Sequence, residues 1–168
     1  PLGSKHCSMI PITREELFTL LTFYPEMLHP RAHAHNDYYH DRPLLDALSH
    51  GFLSVEADVM LSGGTLFVGH SRHEIRAERT LETLYLKPLA ERVQINKGRV
   101  FPGGPVFTLH IDIKTDAEKT YAALRKLFEK YSDMLTTVKE NRVEEKAVTV
   151  LISGNRPKQT IAAKNIRY

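Results

Sequence analysis

The chain has 168 residues, 42% hydrophobic and 26% charged, with a formal net charge of +3, which is the make-up of one globular domain able to bury its own core. Its basic residues are dispersed rather than clustered, which argues against nucleic acid or an anionic membrane as a partner. No apolar run approaches the ~20 residues of a membrane-spanning helix, and a single cysteine, Cys7, excludes an internal disulfide framework.

Pro1-Leu-Gly-Ser4 reads as a protease-cleavage and cloning remnant, is left out of fold reasoning, and leaves the native location open. Thr13-Arg-Glu-Glu16 is a capping box ahead of a short apolar helix from Leu17 to about Tyr24, stopped by Pro25 and Pro30. Residues 5–30 thus form a helical lead-in. Residues 31–37 read as a strand, and Pro43–His50 as a helix with Gly51 at its C-terminal end. Residues 53–60 are a second strand. Ser62-Gly-Gly64 is a turn, and Thr65–Gly69 an extended arm able to pair back as a hairpin.

Residues 80–93 carry a helical pattern broken by Pro88. Pro102-Gly-Gly-Pro105 is a loop before a strand over Val106–Ile113. A helix from Asp116 to Tyr131 gathers Ala122, Leu124, Leu127 and Phe128 on one stripe. Ala147–Ile152 is a further strand, and a last helix begins near Pro157.

Strand and helix alternate about four times, the pattern of βα units on a parallel sheet. A doubly wound sheet and a barrel of eight units both fit that pattern. A full barrel takes roughly 250 residues, so residues 31–168 would supply only the first four or so units of a TIM-like (β/α) barrel. A half-barrel standing alone would expose strand edges and an apolar face, and would self-associate.

The chemistry concentrates on three strands. In Leu53-Ser-Val-Glu-Ala-Asp-Val59, Glu56 and Asp58 project from one face while Val55, Ala57 and Val59 cover the other. Paired carboxylates on a buried strand call for a cation or a shared proton. Hard oxygen donors suit Mg²⁺ or Ca²⁺ better than zinc. In Thr108-Leu-His-Ile-Asp-Ile-Lys-Thr115, a third carboxylate, Asp112, shares its face with His110 and Lys114. Glu56, Asp58 and Asp112 therefore form a candidate site for one divalent cation, with a plain ion pair as the simpler account of Asp112 and Lys114.

Five of the nine histidines fall between His29 and His50. His33 and His35 share one face of the expected first strand, and His70 closes Leu66-Phe-Val-Gly-His70. Histidine suits proton transfer, but His-x-His is also a zinc spacing. A zinc-dependent hydrolase using His33 and His35 therefore stays open beside the hard-cation reading. His29, His40, His50 and His73 are expected on the surface or in loops.

His33-Ala-His-Asn36, Ser54-Val-Glu-Ala-Asp-Val59, Phe67-Val-Gly-His70 and His110-Ile-Asp-Ile-Lys-Thr115, in this order, resemble the phospholipase C-like phosphodiesterase superfamily. That group includes glycerophosphodiester phosphodiesterases, phosphatidylinositol-specific phospholipases C and the sphingomyelinase D toxins of spiders. The run Ala34–His70 is most similar to a bacterial and fungal branch that includes altered inheritance of mitochondria protein 6. A weaker similarity covers Ser153-Gly-Asn-Arg-Pro157.

The resemblance implies a TIM-like barrel and metal-dependent cleavage of a small-molecule or lipid phosphodiester, with His33 or its rival His35 as one catalytic histidine and His70 as the other. It further implies Glu56, Asp58 and Asp112 as metal ligands, Lys114 on the phosphate, and Asn36 and Arg156 beside Lys114 at the substrate. The sequence departs from the glycerophosphodiesterase His-Arg-Gly opening, since Ala34 and His35 follow His33. A catalytically silent or truncated module acting in binding is the reading of a different class.

Overall fold

The alternation Val55-Glu-Ala-Asp-Val59 sends apolar and acidic side chains to opposite faces of one strand. In a computed structural model of the protein that strand is central to the main sheet. The structure describes residues 13, 28–140 and 142–168. The helix expected over Leu17–Tyr24 lies outside them, as do Cys7 and nearly all of the lead-in.

Among the described residues the first α-helix in chain order is α1 (Leu45–Ser49), closed by Gly51 at φ +72°, as the expected C-terminal glycine requires. Strand β1 (Ser54–Ser62) turns through Gly63 and Gly64 into β2 (Thr65–Val68). Both glycines have positive φ, +54° and +82°, the signature of a two-residue type I′ hairpin. A wide π-turn over Glu82–Leu86 leads into α2 (Lys87–Ile95), with Pro88 in its first turn. Proline has no N–H to donate, yet the helix is not broken at Pro88 as the sequence pattern suggests; it runs on from the π-turn to Ile95.

Strand β3 (Phe107–Ile113) precedes α3 (Ala117–Lys130), whose N-cap Asp116 accepts the Lys119 N–H at 2.9 Å. Thr120, Tyr121, Leu124 and Phe128 are its buried residues. Ala122, expected on that stripe, is exposed, because the helix presents the face one step further round. Short strands β4 (Thr137–Lys139) and β5 (Arg142–Glu144) come before β6 (Val148–Gly154). The described chain closes with α4 (Lys158–Ala162) and β7 (Ile166–Arg167).

The main sheet has the order β2-β1-β3-β6, with β1, β3 and β6 parallel and β2 antiparallel to β1. Its apolar face carries Val55, Ala57, Val59, Leu109, Ile111, Ile113 and Val150 into a core shared with Leu86, Leu89, Leu124 and Phe128. The opposite face carries Glu56, Asp58, His110, Asp112 and Ser153. One strand period thus separates the core from the chemistry.

The described residues form a mixed α/β fold with two open sheets and no barrel closing among them, and one further expectation needs correction. The strand expected over 31–37 reduces to one parallel bridge, in which Ala34 donates to Ser54 O and accepts from Glu56 N–H, both at 2.9 Å. Asn36, at φ +50°, then turns the chain into a 3₁₀ turn over Asp37–Tyr39, since a left-handed residue cannot continue a strand. Finally, β5-β4-β7 form a second, antiparallel sheet that the sequence does not announce, because strands of two or three residues carry too little periodicity. Among the described residues no helix is long and apolar enough to cross a membrane.

Candidate metal and acid–base site

Register between β1 and β3 sets Asp58 beside Asp112 and Glu56 beside His110. The consequence is a cluster: one carboxylate oxygen each from Glu56, Asp58 and Asp112 lies within 4.8 Å of the others. Glu56 is 7% and Asp58 1% exposed, so water screens their mutual repulsion poorly. Lys114, following β3 on the same face, places its Nζ 3.0 Å from Asp112 and 3.2 Å from Asp58. Burial alone would depress the pKa of this ammonium, but hydrogen bonds to Asp112 and Asp58 outweigh it and hold the group above its ordinary value.

One ammonium against three carboxylates leaves the cluster anionic. Asp58 Oδ1 is moreover buried with no hydrogen-bond partner among the described residues. A buried carboxylate oxygen without a donor is costly, and a bound cation could remove that cost. The donor set is all oxygen, which fits Mg²⁺ or Ca²⁺. Among the described residues no histidine nitrogen joins that group of three oxygens.

The predicted histidines surround these carboxylates at different levels. His70, delivered by the loop after β2, has Nδ1 2.7 Å from Asp58 Oδ2. His35 Nε2 lies 3.4 Å from Glu56 Oε2, on a side chain that is 73% exposed. His33 sits one strand step below, with Nδ1 2.7 Å from Ser54 Oγ and its ring 5.8 Å from that of His110. Its pKa is lowered, first by burial and then by the neighbouring His110 and His35, with Glu56 opposing them. The two rivals thus occupy distinct positions. His35 touches a clustered carboxylate, and His33 belongs to a Ser54–His110 group beneath it.

Asn36 meets the cluster through its backbone, whose N–H donates to Glu56 Oε2 at 3.3 Å. Arg156 is exposed and bonds through its backbone N–H to Gly154 O at 2.8 Å, with no side-chain contact to the cluster among the described residues. His29, His40, His50 and His73 are all exposed, as expected.

Several contributors were not singled out from sequence. Tyr38 is 1% exposed, and its hydroxyl donates to Asp58 Oδ2 at 2.8 Å. Ser153 donates to Asp112 Oδ2 at 2.9 Å, and the strand period of β6 places it on the polar face. Glu74 holds the His70 loop, accepting the His70 N–H at 2.9 Å, the Ser71 hydroxyl at 3.0 Å and the Tyr39 hydroxyl at 3.2 Å. Those bonds keep the Glu74 carboxyl below the usual range, the His70 N–H contributing most. No pattern in the sequence marks Glu74. Its role exists only once the loop is folded.

A family model for the AIM6-like phosphodiesterase domain matches residues 22–168. The altered inheritance of mitochondria protein 6 homolog of Arthroderma benhamiae is 35% identical over 159 residues, covering 81% of this chain and 51% of that protein. Altered inheritance of mitochondria protein 6 of Lachancea thermotolerans is 40% identical over 152 residues, 76% of this chain and 34% of that protein. The protein of the same name from Eremothecium gossypii is 37% identical over 149 residues, 76% of this chain and 37% of its own length. The chain therefore spans about half or less of these curated relatives. No solved structure gives a significant match. The chain belongs to the AIM6-like phosphodiesterase domain family.

Proposed function

We propose that this member of the AIM6-like phosphodiesterase family cleaves a glycerol- or lipid-derived phosphodiester by cation-dependent, two-histidine acid–base catalysis, as a phosphoric diester hydrolase of the phospholipase C or glycerophosphodiesterase kind. The observation that carries the reading is the convergence of Glu56, Asp58 and Asp112 within 4.8 Å, with His70 and Lys114 both on Asp58. On the same reading, the parallel run β1-β3-β6 is the opening part of a TIM-like barrel.

Glu56, Asp58 and Asp112 would hold one Mg²⁺ or Ca²⁺ ion, which supplies positive charge against the anionic oxygens of the phosphodiester. Lys114 adds a fixed charge on the same side, suited to the negative charge that develops on the transferring group. Asp58 engages His70 at Nδ1, so the proton resides there and Nε2 is the nitrogen left to exchange a proton. The second histidine takes the opposite proton-transfer role. His35 qualifies by its contact with Glu56, and His33 by a lowered pKa that favours the neutral imidazole, the form able to accept a proton. Asn36 and Arg156 stand on either side of the carboxylates in sequence and complete the substrate contacts of this reading.

The test is a panel of glycerol- and lipid-derived phosphodiesters, assayed with and without EDTA, on the wild-type chain and on His70→Asn. Cation-dependent cleavage is expected, with turnover in His70→Asn lower by roughly 10²–10⁴-fold while the fold and cation binding persist. Unchanged turnover in His70→Asn would remove that residue from the mechanism. Cleavage that survives EDTA would overturn the cation's part in it.

A further inference from the structure

Asp58 is the most heavily engaged of the three carboxylates, and its two oxygens are treated very differently. Oδ2 lies 2.8 Å from the Tyr38 hydroxyl, 2.7 Å from His70 Nδ1 and 3.2 Å from Lys114 Nζ. A carboxylate oxygen has about two lone-pair sites, so three donors saturate it. Oδ1 is buried and has no partner among the described residues. Oδ1 is therefore the Asp58 oxygen left without a donor and open to a cation.

The three donors differ in kind. The His70 and Lys114 side chains are 58% and 25% exposed, and both carry or exchange protons. Tyr38 is 1% exposed, and its side chain offers a neutral phenolic O–H as donor. Of the three it is the neutral one.

Tyr38 is also held firmly. It belongs to the 3₁₀ turn Asp37–Tyr39, entered through Asn36 in the left-handed region that asparagine tolerates. The Asn36 N–H donates to Glu56 Oε2, so one turn touches two clustered carboxylates. Behind it, Asp37 is fully buried, and its Oδ2 accepts the Leu44 N–H at 2.5 Å and the Tyr85 hydroxyl at 2.9 Å. Leu44 itself sits at φ +64°, a conformation costly for leucine that Asp37 pins in place. The Arg79 guanidinium donates to the Tyr38 carbonyl. The turn is thus tied to the π-turn ahead of α2 on one side and to β1 on the other.

We propose that Asn36-Asp37-Tyr38 is a positioning turn for the cation site, in which the Tyr38 hydroxyl occupies Asp58 Oδ2 and so commits Oδ1 to the cation. Tyr85, acting through Asp37, anchors that turn. The inference rests on the carboxylate cluster being a cation site. It adds that cation affinity is set by a neutral hydroxyl that is not itself a ligand.

The experiment is calorimetric titration of the folded chain with Mg²⁺ and Ca²⁺, for wild type, Tyr38→Phe, Tyr85→Phe and Tyr131→Phe. Tyr38→Phe keeps the buried ring and deletes only the hydroxyl, which lies 2.8 Å from Asp58 Oδ2 and 3.2 Å from Asn36 Oδ1 and so donates chiefly to the carboxylate. Tyr131→Phe deletes a comparable tyrosine–carboxylate bond, to Glu82 at 2.7 Å, away from the cluster. Tyr38→Phe is expected to weaken cation binding about 10–100-fold, the usual worth of an outer partner of a metal ligand. Tyr85→Phe should shift affinity in the same direction, and Tyr131→Phe should leave it unchanged.

Wild-type affinity in folded Tyr38→Phe, whatever its Tm, would overturn the positioning role. Should Tyr38→Phe fail to fold, Tyr85→Phe decides: weakened binding supports the proposal and unchanged binding overturns it. If wild type binds neither cation, the cation-site reading falls and this inference falls with it.

Discussion

Gly154 ends β6 at φ +65°, against the carboxylate of Asp112. A Cβ added there would meet Asp112 Oδ1 first, and would stand 2.5 Å from Ile113 O and 2.9 Å from Ile113 N. The Ile113 contact is about 1 Å short of ordinary van der Waals separation. Asp112 could swing aside, but Ile113 is backbone of a strand paired on both sides, so the end of β6 would have to lift. Gly154→Ala therefore combines two costs. The positive φ is worth about 1–2 kcal/mol, and the forced displacement about 1–3 kcal/mol. Together they predict a loss of about 2–5 kcal/mol, or roughly 5–20 °C in Tm for a chain of this size.

Gly64→Ala separates the two costs, since Gly64 has φ +82° and nothing within 4 Å of an added Cβ. It should lose only the conformational part, about 1–2 kcal/mol. Urea unfolding of both variants gives the difference, and a Ca²⁺ titration should show weakened binding in Gly154→Ala alone, because Asp112 is displaced. Equal losses in the two variants, with equal cation affinity, would refute the claim that Gly154 is required by the approach to Asp112.

Lys114→Met removes the ammonium that spans Asp58 and Asp112. Without divalent cation it should cost about 2–4 kcal/mol, between an exposed and a fully buried pair, and saturating Mg²⁺ or Ca²⁺ should recover most of that. A phosphate contact predicts, in addition, a fall in kcat/KM at saturating cation. A loss that cation does not reduce would show that Lys114 is not balancing the cluster. Glu74 gives a pH test. Its folded pKa lies below the ordinary 4.5, so its contribution to stability is present above about pH 4.5 and is lost as pH falls through the lower, folded value. Denaturant unfolding of wild type and Glu74→Gln should therefore differ more at pH 6 than at pH 3. A gap that widens on acidification would contradict the assignment.

Much of the site is legible in the sequence because strand geometry is local. Spacing of i, i+2 is enough to put Glu56 with Asp58 and Asp112 with Lys114, and the intervening valines and isoleucines tell which face is buried. Glycine and proline mark the hairpin at Gly63–Gly64 and the π-turn just ahead of Pro88 for equally local reasons, φ freedom in one case and a missing donor in the other.

Other features depend on partners distant in the chain. That Asp58 faces Asp112 is a matter of register between β1 and β3, which packing of the whole apolar face selects. Tyr38 reaches Asp58 across 20 positions and Ser153 reaches Asp112 across 41, so neither pairing leaves a periodic trace. The stretch at 31–37 reads as a strand on local pattern, yet tertiary structure keeps only the Ala34 bridge. There the Asn36 N–H turns onto Glu56 and the Tyr38 hydroxyl onto Asp58, and β2 already pairs with the far half of that edge. The residue types that carry charge are thus set by the sequence. Which oxygen, which imidazole and which hydroxyl meet is decided by the fold, because hydrogen-bond geometry is fixed to tenths of an ångström and sequence spacing is not.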